Sequence, residues 1–366
     1  MDTTRLILVG GFLGAGKTTL LWEAAQRLMN SGNRIGLITN DQAPELVDTA
    51  ILSRNEVKVA EVNGSCFCCN FNGLINAMKQ LRSEAGADVI IAEPVGSCTD
   101  LSATIVRPLK KNMKGELQVS PLSVMADPMR LNDILEGGSA GLHPSAAYIY
   151  YKQLEESDII LISKSDLLAR KKLDKLKERI KLNFPDSEVM AVSAKTGEGI
   201  DEWLEEVMHR TDSCQRLVNV DYDIYAEGEA ILGWLNCTIM LNGEPTDWDA
   251  LAQNLLEELS LQFDCLKASV GHVKILLEAG DQYIAGNLTG LANTINFRGS
   301  AGIGTEAKLT INARVETSPE ELEQVVNEML DSTIRGSVKA KIVAWKCFSP
   351  GYPNPTHRFE YVVPVF

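Results

Sequence analysis

No stretch of this sequence is long and apolar enough to span a bilayer, and the early apolar run Leu6 to Val9 opens into glycines rather than a signal-peptide cleavage site. A cytoplasmic protein with no membrane partner is the expectation. Positive charge is also short: 35 Lys and Arg stand against 49 Asp and Glu, a formal −14. A field of that sign repels phosphate backbones, which argues against a nucleic-acid partner. Histidine is scarce. His143, His209, His272 and His357 are the four, each read as a surface or capping residue, and without a histidine tract there is no evident metal store. Internal repeats and low-complexity tracts are missing too.

What is present divides in two, as 366 residues lead one to expect. Short β-rich runs (Leu6–Val9, Arg34–Thr39, Lys58–Val62, Val89–Ala92, Leu122–Ala126, Ile159–Ser163, Val189–Val192) alternate with amphipathic stretches such as Thr18–Met29, Leu74–Glu84, Lys171–Asn183 and Glu202–His209. That alternation predicts an α/β domain over 1–212, a parallel sheet with helices on both faces. A polar segment, Thr211 to Asn219, interrupts it. Over 221–366 the order is strand (Ala230–Leu241), helix (Trp248–Gln262), strand (His272–Glu278), strand (Lys308–Glu316), helix (Pro319–Ser332) and strand (Lys339–Lys346), an α+β ferredoxin-like pattern. The glycine-bearing stretch before Lys308 reads as a flexible connection. From Asp221 onward 20 acids face 10 bases, so this part carries −10 of the total. It is read as a docking domain for a partner or client.

Gly11-Phe12-Leu13-Gly14-Ala15-Gly16-Lys17-Thr18 fits G-x-x-x-x-G-K-[ST] directly after an apolar strand and before a helical pattern, the context that motif needs. Backbone N–H groups of Gly11, Gly14, Ala15, Gly16 and the Thr18-Thr19 start of the helix would cradle phosphates. Lys17 would neutralise the β and γ phosphates, and the Thr18 hydroxyl would coordinate Mg²⁺. Ser163-Lys164-Ser165-Asp166 has the form of the guanine-reading N-K-x-D element with serine for asparagine; its alternative is a plain helix-capping turn. Asp166 can accept from guanine N1–H and the exocyclic amine, while the Lys164 stem packs on the base. Ser193-Ala194-Lys195 resembles the S-A-K loop that touches guanine O6, so GTP is the expected nucleotide. Glu93, ending a buried strand before Pro94-Val95-Gly96, would hold a Mg²⁺-bound water, and Gly96 is free to turn toward a γ-phosphate. Asp41 is a candidate for Mg²⁺ or for orienting the attacking water, or else an ordinary turn residue. Lys17, Asp41 and Glu93 form the catalytic set.

Cys66-Phe67-Cys68-Cys69 packs three of eight cysteines into four positions. Adjacent thiolates repel unless a cation shares their charge, and soft donors suit Zn²⁺, Cu⁺, or Co²⁺ and Ni²⁺. Cys98 could complete the set. A redox pair at Cys66 and Cys68, or a buried cluster, are the other readings. The ending, Cys347 to Arg358, is a proline-fixed tail read as a surface strap.

Together, Gly10 to Thr19, Cys66-x-Cys68-Cys69, Glu93-x-x-Gly96 and Ser163-Lys164-x-Asp166 resemble the CobW family of metal-handling GTPases, related to those that insert nickel into urease and hydrogenase. The resemblance covers about the first 210 residues. It implies Mg²⁺-dependent GTP hydrolysis and a thiolate site whose metal affinity follows the nucleotide. The chain departs from the family at Asp41 (usually Glu), Ser65 (usually Gly) and Ser163 (usually Asn). The expected function is a metallochaperone or metalloenzyme or cobalamin-related activator serving a client metalloprotein, with homo-oligomerisation open. The alternatives are an activator of a corrinoid or other cofactor-bearing enzyme in which the metal is structural, and a kinase-like P-loop enzyme.

Overall fold

The computed structural model describes residues 3–44, 46–53, 57–289, 294–334, 336 and 338–363. Strands β1 (Thr4–Gly11), β2 (Ile35–Asn40), β3 (Lys58–Val62), β4 (Val89–Glu93), β5 (Leu117–Val119), β6 (Ser123–Ala126), β7 (Ile159–Ile162) and β8 (Glu188–Ala191) form one sheet. Its order is β3-β2-β4-β1-β6-β7-β8, with β5 also on β1, and the pairings are parallel. Alternation along β1 feeds two cores. Leu6 and Leu8 pack on the side of Phe12, Phe67 and Tyr150. Ile7 and Val9 pack on the other, against helix α1 (Lys17–Asn30) through Leu20, Leu21 and Ala24. A sheet buried on both faces reads as continuous apolar runs, which is why these strands were visible in the sequence.

The remaining helices here are α2 (Val47–Leu52), α3 (Phe71–Glu84), α4 (Arg107–Asn112, entered through a π turn at Ser102–Val106), α5 (Pro128–Leu135), α6 (Pro144–Glu156), α7 (Arg170–Asn183) and α8 (Ile200–His209). The polar segment after α8 is anchored rather than loose: Cys214 and Val218 are buried in the first core. Helix α9 (Tyr222–Ala230) then packs on α6 so closely that a Cβ at Gly228 would meet the Ser145 carbonyl at 2.4 Å. The strand expected from Ala230 therefore starts later, because Asp221 caps a helix by accepting from the Asp223 and Ile224 amides.

The second sheet comprises β9 (Gly233–Asp247), β10 (Val270–Ala279), β11 (Gln282–Thr289), β12 (Thr294–Ser300), β13 (Ile303–Val315) and β14 (Lys339–Phe348), with helices α10 (Trp248–Leu266) and α11 (Pro319–Thr333). Its order is β12-β11-β10-β13-β9-β14, antiparallel throughout. Strands β10-β13-β9-β14, with α10 and α11, carry the expected ferredoxin-like β-α-β-β-α-β arrangement, and β11–β12 extend it at one edge. The stretch read as a flexible connection is instead the hairpin β11–β12 and the turn into β13, with Gly299 and Gly302 at positive φ. Its outer strand alternates only briefly, with Ile295 and Phe297 turned to the core between exposed Thr294, Asn296 and Arg298, before Gly299 and Ser300 end it. On β9 and β13, Leu235, Cys237, Ile239, Leu309, Ile311 and Ala313 face the α10/α11 core. The alternate residues Asn236, Asn312 and Arg314 are also buried and bond to the first domain.

Candidate nucleotide and metal site

At the carboxyl end of β1 the chain must turn sharply into α1. Gly11 (φ 128°) admits no side chain, since a Cβ would lie 2.3 Å from the Met125 carbonyl oxygen, and Gly16 caps α1 in a left-handed conformation. No side chain caps that N-terminus, so its amides and the helix dipole are available to an anion. Lys17, 6 % exposed, curls back to donate to the Gly11 and Phe12 carbonyls at 2.8 and 3.3 Å. Its ammonium lies 3.6 Å from Glu93 Oε1, while Thr18 donates to Glu93 Oε2 at 3.0 Å. Gly96 presses on this group: a Cβ there would meet Lys17 Nζ at 3.2 Å. Burial lowers the Lys17 pKa and raises that of Glu93, each opposed by attraction between the two.

Lys17, Thr18, Glu93 and Gly96 thus come together as the sequence led us to expect. Asp41 borders the same cavity but is committed to another partner. Its Oδ2 accepts from Arg314 of β13 at 2.6 Å, a pair 8 % and 1 % exposed. Asp48, which no motif singled out, lines the cavity beside Thr18 and pairs with Lys274 of β10 at 2.6 Å. The oxygens of Thr18, Asp48 and Glu93 are a hard donor set that fits Mg²⁺. His272, read from sequence as a surface or capping residue, also lines this cavity of about 250 Å³. Burial, with help from Lys274 and Arg314, holds its imidazole well below the usual range and so neutral.

A second cavity of about 520 Å³ adjoins the first and is lined by Lys164, Asp166, Ala194 and Lys195. Ser193 donates to Asp166 Oδ1 at 2.6 Å and accepts from the Thr196 amide at 3.1 Å, which fixes the carboxylate facing the cavity. Lys164, in a left-handed conformation, pairs with Asp127 at 2.8 Å. Ser163 turns away to the Ala126 carbonyl at 3.1 Å, leaving Asp166 to face a base. Thr19 borders both cavities.

The cysteine loop lies below β2 and β3. Asn40, ending β2, donates to the Val62 and Ser65 carbonyls at 2.7 and 2.9 Å and accepts from the Phe67 amide at 2.8 Å, so one side chain clasps the loop. The sulfurs of Cys66, Cys68 and Cys69 all lie within 4.8 Å of one another. Cys98 adds its thiol to Cys66 and Cys68 without belonging to that mutual set. Hydrogen bonds from Cys68, Cys69 and Cys98 hold Cys66 well below the usual thiol range, while Cys66 pushes Cys69 up to about 11. A thiolate ringed by thiols, with soft donors converging, fits a thiophilic ion. Burial, followed by the Cys66 charge, lifts nearby Glu229 of α9 to about 8.

The tail crosses this loop. Thr356 donates its amide to Cys68 O at 2.8 Å and its hydroxyl to Cys69 O at 3.1 Å, and His357 packs edge-on against Phe71. Arg358 pairs with buried Asp100 at 2.7 Å, and the Phe359 amide bonds Ala103 O in the π turn. The proline-fixed ending is a strap, as read, and its place is over the thiols.

A phosphate loop at a parallel-sheet edge, a base pocket with a fixed carboxylate and a Thr/Glu pair beside the lysine define a P-loop GTP hydrolase. A family model described as CobW/HypB/UreG, nucleotide-binding domain, matches residues 5–191. The chain belongs to that family of metallochaperone-type GTPases. Comparison with curated protein sequences gives no match. Among solved structures, the chain is similar to the hydrogenase maturation factor HypB from Archaeoglobus fulgidus (21 % identity, 56 % of this chain and 87 % of that one, TM-score 0.39). It is similar to HypB from Helicobacter pylori in complex with nickel (16 %, 57 % and 87 %, TM-score 0.42). Zn(II)-bound YjiA GTPase from E. coli is similar over 90 % of this chain and 99 % of its own (15 %, TM-score 0.36). Among the described residues no helix is long and apolar enough to cross a membrane.

Proposed function

We propose that the protein couples GTP hydrolysis to the holding and release of a thiophilic metal ion, as a metallochaperone or metalloenzyme activator. Lys17 and the loop amides bind the β and γ phosphates, and Asp166, backed by Ser193, selects guanine over adenine. Thr18, Asp48 and Glu93 are the residues that would hold Mg²⁺, which when bound neutralises charge on the transferring phosphoryl group. Glu93 holds the water beside the terminal phosphate. Cys66, Cys68 and Cys69, with Cys98, hold the cargo ion. Its recipient is a client metalloprotein or corrinoid enzyme.

One observation carries this reading: Asn40, which clasps the cysteine loop, is joined by a single peptide bond to Asp41, at the start of the segment that reaches the phosphate pocket through Asp48. A nucleotide that moves this segment changes the shape of the thiol cluster. Metal affinity should then differ between GTP and GDP forms by about 1–3 kcal/mol, roughly 5- to 150-fold, and metal must shift nucleotide affinity by the same factor. Titration of Zn²⁺, Co²⁺ and Ni²⁺ with a non-hydrolysable GTP analogue, GDP or no nucleotide measures it. We expect tighter binding with the analogue, and Co²⁺ thiolate absorption lost when the three loop cysteines become serine. Equal affinities in all three states would leave a structural metal in a cofactor-enzyme activator.

A further inference from the structure

The second domain carries most of the negative charge, yet it faces the phosphate cavity with cations. Among the described residues, its contribution to that cavity includes Lys274, Arg298 and Arg314 and not one carboxylate. With Lys17 and Lys164 from the first domain, five cations face Asp41, Asp48 and Glu93, an excess of two positive charges in a protein of −14. An acidic domain that gathers cations at one cavity offers a local field suited to an anion there.

The backbone brings this face into contact with the phosphate loop. A Cβ at Gly14 would lie 3.1 Å from Thr289 Cβ and 3.2 Å from the Gly271 carbonyl, and Gly271 also packs on Leu13. From Gly271, β10 runs over the cavity and carries His272 and Lys274 into it. The Lys274 ammonium, on a side chain 14 % exposed, lies 2.6 Å from Asp48 Oδ2, and Asp48 lines the same cavity as Thr18. Lys274 and Glu93 line the phosphate cavity and not the adjoining one, whereas Asp166 lines the adjoining cavity and not this one. A nucleotide with its base at Asp166 and its first phosphates on the loop amides directs its terminal phosphate toward the cavity that Lys274 and Glu93 line.

We infer that Lys274 of the second domain is a nucleotide-binding residue that recognises the terminal phosphate of a nucleoside triphosphate, so that the two domains together form the phosphate site. The inference rests on the GTPase reading above. With triphosphate bound, the ammonium would turn from Asp48 to the γ-phosphate oxygens, leaving Asp48 among the residues that would hold Mg²⁺. Diphosphate lacks the group Lys274 reads.

Equilibrium binding of fluorescent GDP and of a fluorescent non-hydrolysable GTP analogue to the full chain tests this. Lys274→Met should weaken the triphosphate analogue about ten- to hundred-fold, the range for a lost charge-assisted contact, and change GDP affinity by less than about threefold. Lys274→Arg, which keeps the charge, should retain the wild-type preference. If Lys274→Met fails to give a cooperative thermal transition, Lys274→Gln, which can still hydrogen-bond Asp48, is read in the same way. Equal losses for both nucleotides, or no loss for either, would overturn the inference and leave Lys274–Asp48 a structural pair. A wild-type chain that binds neither nucleotide would instead overturn the GTPase reading beneath it.

Discussion

Glu156 illustrates how a side chain outside the nucleotide chemistry sets the protein's response to pH. It ends α6, 3 % exposed, and accepts from the Thr99 hydroxyl at 3.1 Å and the Ser102 amide at 3.0 Å. Burial lifts its carboxyl from 4.5 to about 8. Between those values the folded chain keeps a proton that the unfolded chain has lost, so stability is fullest below about 4.5 and falls as pH rises toward about 8. Glu229 adds a contribution of the same sign. Glu156→Gln should flatten the fall without abolishing it and gain about 1–3 kcal/mol over the wild type at the alkaline end. Urea unfolding at several pH values from 5 to about 8.5 reads this; parallel slopes for the two proteins would refute the assignment.

Among elements, the strap and the cysteine loop form one unit from distant parts of the chain. The prolines at 350, 353 and 355 restrict the strap before it docks, which lowers the entropy lost on covering the loop. Removing residues 350–366 should speed modification of the loop thiols by a water-soluble thiol reagent and release of bound Co²⁺, each about tenfold, while GTP-analogue affinity stays within about twofold. Unchanged thiol reactivity would mean that the strap covers nothing of consequence. This contact also marks where sequence reading stops. The phosphate loop, Glu93, Asp166 and the cysteines were legible because local spacing fixes their chemistry. Asp48, His272, Lys274 and Arg314 were not, since their setting is created by two sheets meeting, and Lys274 lies in a strand pattern that any solvent-facing lysine would satisfy. Likewise the hairpin β11–β12 was missed because its apolar alternation is short, two residues on each strand facing the core, and is followed by the glycines of the turn into β13.

At the scale of the whole molecule, the segment from Asp41 to Asp48 is held along the second sheet by a row of polar contacts. Among the described residues these include Asp41 with Arg314, Gln42 O with Lys346 at 3.2 Å, Pro44 O with Asn236 at 2.9 Å, the Val47 amide with Asn312 at 2.8 Å, and Asp48 with Lys274. Arg314 is buried and also lies over the Trp234 ring at 4.2 Å. Removing one member of a buried pair leaves an uncompensated charge, so Arg314→Ala should cost about 3–5 kcal/mol, whereas Asp41→Asn with Arg314→Met should recover much of it. A double-mutant cycle by chemical denaturation measures the coupling, and a single variant within about 0.5 kcal/mol of wild type would contradict the placement of this pair. Because the same segment meets the phosphate cavity at one end and Asn40 at the other, the second domain has a mechanical hold on both sites.

The strap has a further consequence for the order of events during synthesis. Thr356 follows Cys69 by 287 residues. At roughly 5–20 residues per second, it leaves the ribosome about 15 to 60 s after the cysteines do. The first domain gathers its thiols long before their cover exists, and for that interval a nascent chain meets cellular ions and oxidants with its sulfurs open. Translation rate therefore sets how long the cluster can be loaded, or damaged, before its own chain closes over it.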